Sequence, residues 1–569
     1  MMTRLAVLLL ALGLVGCASA DSAGVPAPQA DGWVTLNGQG PDRTSRRTDG
    51  ASAAMDAAAA RAPDIAFGGK YNSAGAGIGL VLPGALNAHK FKTLVQAGIV
   101  PSPDDLPMEG WFNEHDSPLP AASPDRPVDL HALAAIVAEP NQEPEILLQI
   151  GFNTAASLSQ LQPSLDLVIA VDRSASLGPE ALGAVKAGIL DVADSLPPQS
   201  ALAVVFFDAT SEEVFAASPY TANLKGQLAV SLQEIKSKGG TDLYGGLQFA
   251  IERLGNFKTA AKQRRILLAS DGAGTLGAHG PADFVDLGKK AGVSVSAIGV
   301  GLQTNSALLT HLAKVTGGTY YEAPTLAALQ QAFGKDLMSL LVPVANDLSV
   351  TLQLGTGWTV RDNFGLPFEA VGGTLYLGKA PRRGRADASA SDSAPAPDML
   401  GSEVATPDIG APPPPDPVLG QLFPSQRNGL VALRLQPPVG TVLDQALSLL
   451  LAKASWSYTL TASGAKKSHD NSIQISGLVA IPDGGFEHYT HPVARRTAAL
   501  VRAGEAMKTA CALAANGKTA AAVATVQAAM AYMGRMEPEV DKAGLDAAGA
   551  LDAAHGLMQK LVDNLKAQK

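Results

Sequence analysis

The sequence predicts an α/β fold built on a doubly wound, mostly parallel sheet, followed by an antiparallel β domain and a C-terminal helical region. Three observations carry this. Between residues 164 and 342, apolar strand-like runs alternate with helical stretches through short connections, the pattern of a parallel sheet covered on both faces. From Leu348 apolar residues recur with a period of two, and from Val493 onward with a helical period.

Leu165 to Val171 is a near-continuous apolar run, as expected for a central strand buried on both faces. A helix is expected from Pro179 to about Leu196, with the proline suited to its first turn. Ala201–Phe207 reads as the next strand and Val214–Ala217 as an edge strand, with helices at about 222–236 and 243–255. Ile266–Ala269 and Val293–Ile298 read as two further buried strands flanking a helix at 282–290. A helix at 304–315, a strand at 318–322 and a helix at 325–341 complete the series. Beyond it, Leu348, Val350, Leu352 and Leu354 alternate with polar residues, as do Val431, Leu433 and Leu435, and then Trp456, Tyr458 and Leu460. That pattern predicts a half-buried antiparallel sheet or sandwich. Near the C-terminus Val493, Leu500, Met507, Cys511 and Ala514 share one helical face, and Gly517 and Pro538 divide the region into about three helices.

With 569 residues the chain exceeds one domain, at roughly 150 residues per domain. The division read from the sequence is a processed segment 1–17, a disordered tether 18–62, an N-terminal module 63–160, the α/β domain 161–342, a β-sandwich-like domain 343–485 with a disordered insertion 380–418, and a helical region 490–569. The tether and the insertion are rich in Ala, Gly, Ser and Pro and lack apolar periodicity. A net charge of −9 and the lack of any basic patch argue against nucleic acid as a partner. No Walker loop, dinucleotide fingerprint, Gly-x-Ser-x-Gly elbow or His-Glu-x-x-His pair occurs, so nucleotide binding and zinc catalysis have no support. The pairs Arg46-Arg47 and Arg382-Arg383 read as solvated charge.

At the N-terminus Arg4 precedes the apolar run Leu5–Val15, which is shorter than the ~20 residues a membrane span needs. The run ends in Leu14-Val15-Gly16-Cys17, which resembles the lipobox of bacterial lipoproteins. The resemblance implies that Cys17 carries the lipid and becomes the mature N-terminus, and several acyl chains on one residue anchor stably. Ala18 stands where Asp would retain the protein at the inner membrane, so the similarity implies the outer membrane of the cell envelope. Cys511, the other cysteine, is expected to be a small core residue.

The chemistry-bearing residues lie where strands of the α/β domain end. The first strand runs into Asp172-Arg173-Ser174-Ala175-Ser176, Thr241 follows Gly239-Gly240, and Asp271-Gly272 ends the strand of Ile266. Ligands of open α/β sheets bind outside the carboxyl ends of strands, which puts both Asp segments on that rim. Three hydroxyls and two carboxylates form a hard-oxygen set suited to Mg²⁺ first, with Mn²⁺ or Ca²⁺ as alternatives.

Asp172, Ser174, Ser176, Thr241 and Asp271, in this order and spacing, resemble the metal-ion-dependent adhesion site of von Willebrand factor A (vWA) domains. The resemblance extends to Gly239–Leu243, Leu268–Gly272, Ile298–Gly301 and Gly317–Tyr321, and it departs at Ala175, where the family usually has Gly. It implies that the hydroxyls contact a divalent cation, that the carboxylates act largely through water, and that a partner's carboxylate completes the coordination. A second, narrower similarity links Val95–Pro101, Glu109–Asn113, Pro118–Pro120 and Leu148–Gly151 to the N-terminal module of a group of bacterial vWA lipoproteins.

Together these readings lead to an expected function, that of an envelope-anchored, metal-dependent protein-binding lipoprotein rather than an enzyme. Its expected partners are a protein presenting an acidic group and the membrane through the lipid. The alternatives are an accessory subunit of a larger envelope machine and a metal-dependent hydrolase. Export separates the chain from cytoplasmic ATP-driven partners, and no general base stands apart from the metal ligands.

Overall fold

The computed structural model describes residues 78–115, 122–137, 145–156, 163–272, 279–337, 341–364, 369–371, 374–377, 420–425, 430–440, 446–478, 492–542 and 549–567, apart from isolated positions within them. The expected lipobox with Cys17, the expected tether 18–62 and the expected insertion 380–418 lie outside these residues.

The N-terminal part contains strands β1 (Ile78–Val81) and β2 (Gly84–Ala85), helices α1 (His89–Gln96) and α2 (Met108–Asn113), and the hairpin β3 (Asp129–Val137) and β4 (Glu145–Thr154). The α/β domain comes next as β5 (Leu165–Asp172), α3 (Gly178–Ser195), β6 (Ala201–Phe207), β7 (Ser211–Pro219), α4 (Leu224–Leu232), α5 (Leu243–Gly255), β8 (Gln263–Ser270), α6 (Pro281–Ala291), β9 (Ser294–Val300), α7 (Ser306–Thr316), β10 (Thr319–Ala323) and α8 (Leu326–Phe333). Its seven-stranded sheet has the order β2-β10-β9-β8-β5-β6-β7, parallel throughout except for β7 against β6.

Every residue of β5, β6 and β9 is buried, because helices cover both faces. The strand period of two divides β5 between two cores: Leu165, Leu167, Ile169 and Val171 face α3, α4 and α8, and Val168 and Ala170 face α5 and α7. Local chemistry sets the helix ends. Asp242 caps α5 by accepting from Gly245 N at 2.9 Å, and Asn305 caps α7 by accepting from Leu308 N at 3.2 Å. α6 begins at Pro281 and ends at Gly292 in the left-handed conformation (φ 63°). The helix expected over 325–341 is interrupted: α8 ends at Phe333 with a turn at Gly334, and helical backbone returns at Leu337 and Leu341. The edge strand β2 carries no apolar signal of its own, yet it pairs Gly84 with Thr319 and Ala85 with Tyr320.

Beyond this domain come β11 (Ala345–Leu354), β12 (Thr359–Phe364), β13 (Glu369–Val371), β14 (Thr374–Leu377), β15 (Phe423–Ser425), β16 (Leu430–Gln436), β17 (Ala446–Leu460) and β18 (Lys466–Leu478). Helices α9 (Pro492–Ala515), α10 (Thr519–Lys542) and α11 (Ala550–Ala567) close the chain. One antiparallel sheet has the order β13-β14-β11-β17-β18, and the other β12-β16-β4-β1-β15 with β3 on the second edge of β4.

Strand pairing therefore cuts across the division drawn from sequence at residues 160 and 343. The six-stranded sheet takes β1, β3 and β4 from the expected N-terminal module and β12, β15 and β16 from the expected sandwich domain. The physical reason is two-sided burial. Leu148 and Ile150 of β4 pack against Val350, Leu352 and Trp456 of the facing sheet, whereas Leu147 and Leu133 pack on the opposite side with Phe91, Trp111, Met507 and Cys511. A hairpin apolar on both faces cannot stand alone; it is the middle layer between a sheet and the helices.

Leu500, Met507 and Cys511 of α9 are buried as their spacing predicts, and burial pushes the Cys511 thiol up to about 12. Pro538 does not end a helix as expected, but lies within α10. It removes one backbone hydrogen bond, a smaller penalty than uncovering the face that packs on α9 and α11. No described helix is long and apolar enough to cross a membrane.

Candidate metal centre

Asp172 is the last residue of β5 and is fully buried. Its Oδ1 accepts from the Ser174 amide at 2.8 Å, which folds the chain back so that Ser174 sits beside it. The Ser174 and Ser176 hydroxyls are 2.9 Å apart. Ala175 is exposed and lies outside the left-handed backbone region, so its methyl group points to solvent and the departure from Gly leaves the loop uncrowded.

The second segment reaches this loop from between α4 and α5. Lys238 N donates to Arg173 O at 2.8 Å, making a one-residue parallel bridge between Ser174 and Lys238. Asp242 N donates to Asp208 O at 2.7 Å. Thr241, between these two anchor points, is buried. The third segment comes directly after β8. Asp271 is 5% exposed, and its carbonyl accepts from Asn305 N at 2.8 Å, which ties it to the start of α7. Gly272 turns with φ 68°, and a Cβ there would meet Asn305 Cβ and Leu309 Cγ at 3.2 Å.

The structure thus brings all five expected residues to the carboxyl rim of the parallel sheet. Burial raises the Asp172 carboxyl above its ordinary value, hydrogen bonds from Ser174 and Ser270 oppose the rise, and the negative charge of Asp271 adds to it. Two buried carboxylates that feel one another's charge, with serine hydroxyls alongside, fit a divalent cation, which would neutralise both. Among the described residues no three His, Cys, Asp or Glu side chains cluster as a metal site, so the rim's candidate donor set rests on two carboxylates and three hydroxyls.

Several supporting residues are invisible in the sequence pattern. Ser270 donates its hydroxyl to Asp172 Oδ2 at 2.8 Å and accepts from Gly272 N at 2.9 Å, so it orients one carboxylate and shapes the turn carrying the other. Its place beside Asp271 is the one signal the sequence offers. Asp208 and Asn305 fix the Thr241 and Asp271 segments, and only the folded chain brings them there.

Comparison with known proteins bears on the α/β unit. The sequence profile of the von Willebrand factor type A domain matches residues 166–335. The chain is 23% identical over 283 residues to the uncharacterized protein YfbK of Escherichia coli K12, and the match spans 48% of each chain, about half the length of that relative. Among solved structures it is similar to a von Willebrand factor type A protein from Catenulispora acidiphila, at 15% identity and a TM-score of 0.45 over 73% of this chain and 88% of that one. It is also similar to the ArnB paralog VWA2 from Sulfolobus acidocaldarius, at 15% identity and a TM-score of 0.39 over 76% of this chain and 98% of that one. The α/β unit with the five-residue rim is therefore a von Willebrand factor type A domain, carried by this chain over residues 166–335.

Proposed function

We propose that the protein is an envelope-anchored lipoprotein that binds a protein partner through a divalent cation held by Asp172, Ser174, Ser176, Thr241 and Asp271. Domains of this type are commonly metal-dependent protein-interaction modules. The observation that carries the reading is the convergence of three hydroxyls and two buried carboxylates on one rim of the sheet.

Bound there, the cation supplies a Lewis-acidic position that an acidic group of the partner can occupy. Mg²⁺ suits an all-oxygen set best, and Mn²⁺ and Ca²⁺ share its preference for oxygen. The protein's own residues divide the work. Asp172 is fixed by Ser174 N and Ser270 Oγ and so is held at the base of the site. Asp271 is fixed through its backbone, and Ser176 lies exposed at the mouth. Fixed ligands cost little reorganisation on binding, so affinity goes to the partner. Lipidation of Cys17 would hold the domain at the outer membrane, on the lipobox-like sequence Leu14–Cys17.

Calorimetry with Mg²⁺ and Mn²⁺ on the whole chain tests the site, and envelope pull-downs with and without EDTA test the partner. Uptake of one cation and an EDTA-sensitive partner are expected. A partner retained equally in EDTA would refute recognition through the metal.

A further inference from the structure

Arg173 stands between two of the metal-site residues, yet the five-residue pattern gives it no task. A guanidinium beside a cation site would ordinarily turn to water, but this one is 2% exposed. Its Nε donates to Asp208 Oδ2 at 2.7 Å and its Nη1 pairs with Glu212 Oε2 at 2.8 Å. Its backbone is engaged on both sides, N donating to Phe207 O at 2.9 Å and O accepting from Lys238 N at 2.8 Å.

Asp208 is the other half of the hub. It directly succeeds β6, is 4% exposed, and accepts on Oδ1 from the amide and hydroxyl of Thr210 at 3.0 and 3.2 Å. Its carbonyl accepts from the amide of Asp242, the residue after Thr241 and the cap of α5. The Asp172–Ser176 loop and the Thr241 loop thus meet at one buried ion pair, Lys238 held on the Arg173 side and Asp242 on the Asp208 side. The Asp271 segment is held separately by Asn305.

We propose that Arg173, acting through Asp208, is the positioning residue that sets the Thr241 loop against the Asp172–Ser176 loop. The proposal rests on the reading of these loops as a metal site. Removing the guanidinium leaves the Asp208 carboxylate buried without its cation. The carboxylate must then turn toward solvent, and the carbonyl that holds Asp242 moves with it. Lysine restores the charge as a single point but lacks the fork that spans Asp208 and Glu212. Glu212 is half exposed, so its pair contributes little.

The test uses the whole chain as wild type, Arg173→Ala, Arg173→Lys and Asp208→Asn, with two readouts. Mg²⁺ calorimetry is expected to show about 10- to 100-fold weaker binding in Arg173→Ala and Asp208→Asn, with partial recovery in Arg173→Lys. Deuterium uptake of the peptide covering residues 238–245 in metal-free protein should rise in the same order, while β8 and β9 stay protected. Wild-type affinity and wild-type uptake in Arg173→Ala would overturn the proposal. Should the wild type itself take up no Mg²⁺, Mn²⁺ or Ca²⁺, the metal-site reading fails, and the uptake measurement still decides the role of Arg173. Should Arg173→Ala not fold, the nearly isosteric Asp208→Asn carries the same expectations.

Discussion

The indole nitrogen of Trp111 donates a hydrogen bond to the carbonyl of Leu500 at 2.9 Å, joining residues 389 positions apart. Around it Gly504 leaves room for both Trp111 and Met108: a Cβ there would lie 2.8 Å from Met108 Cε and 3.0 Å from Trp111 Cδ1. The N-terminal and C-terminal parts of the chain therefore share one core. Trp111→Ala should cost about 3–5 kcal/mol, as for other buried Trp truncations. Gly504→Val should lower stability too, by driving α9 off α2. Urea denaturation monitored by helical circular dichroism checks both. If α9–α11 formed an independent domain, their transition would stay at the wild-type midpoint in either variant.

The metal site makes its own demand. Asp172→Ala removes a buried carboxylate ligand and should abolish Mg²⁺ uptake while the domain stays folded. Ser270→Ala removes no candidate ligand, but it removes the hydroxyl that orients Asp172 Oδ2 and accepts from Gly272 N, so binding should weaken by about 10- to 100-fold rather than vanish. Calorimetry on both variants distinguishes a ligand from its support, and equal affinities in wild type and Asp172→Ala would remove Asp172 from the site.

Stability should also depend on pH through Glu322. Burial pushes this carboxyl up to about 8; the Lys90 amide, which donates to Oε2 at 2.9 Å, opposes the rise, and the charge of Glu114 adds to it. The unfolded chain releases this proton near the ordinary value of about 4.3, so between those pH values the native state binds more protons than the unfolded state. Stability then falls as pH rises toward 8. Glu322→Gln lacks this slope, so its urea midpoint relative to wild type should increase steadily from pH 5 to pH 8. Midpoints that run parallel across that range would show that Glu322 is not protonated in the native state.

The legible parts of this molecule are those determined by neighbours in sequence. β5, β6, β8 and β9 stand out as continuous apolar runs because both of their faces are covered. Asp172 and Asp271 can be placed on the rim because each ends or succeeds such a strand. The illegible parts depend on distant partners. The two residues of β2 have no pattern, and they become a strand only because β10 offers a free edge. The alternation in β4 cannot reveal that β16, from the far side of the α/β domain, supplies its partner. The Arg173–Asp208 pair spans 35 positions, and in sequence each residue reads as ordinary surface charge.

Anchoring is tested at Cys17, the only thiol near the expected cleavage site. Cys17→Ser removes the nucleophile that would take the diacylglyceryl group. The variant is expected to stay unlipidated and to leave the outer-membrane fraction on labelling with a radioactive fatty acid. Acyl label retained in the detergent phase would mean that another residue carries the lipid.

The segment 380–418 offers trypsin Arg382, Arg383 and Arg385 in a Pro- and Ala-rich stretch, and limited digestion should cut there first. Whether the fragments then part depends on the flanking structure. β14 before the segment belongs to one antiparallel sheet and β15 after it to the other, and the two sheets enclose a common core. Pairing between strands also crosses the cut four times: β11 with β17, β12 with β16, β4 with β16, and β1 with β15. α9 adds a further link through Leu500 and Trp111. The halves are therefore interlocked through main-chain hydrogen bonds and buried apolar surface. Cleaved protein should elute from gel filtration at the volume of the intact chain and separate only in denaturant. The candidate ligands all precede the cut, so Mg²⁺ affinity should be unchanged by it. Fragments that part in native buffer would show that the two sheets do not share a core across the segment, and a lost metal site would show that the segment contributes to it.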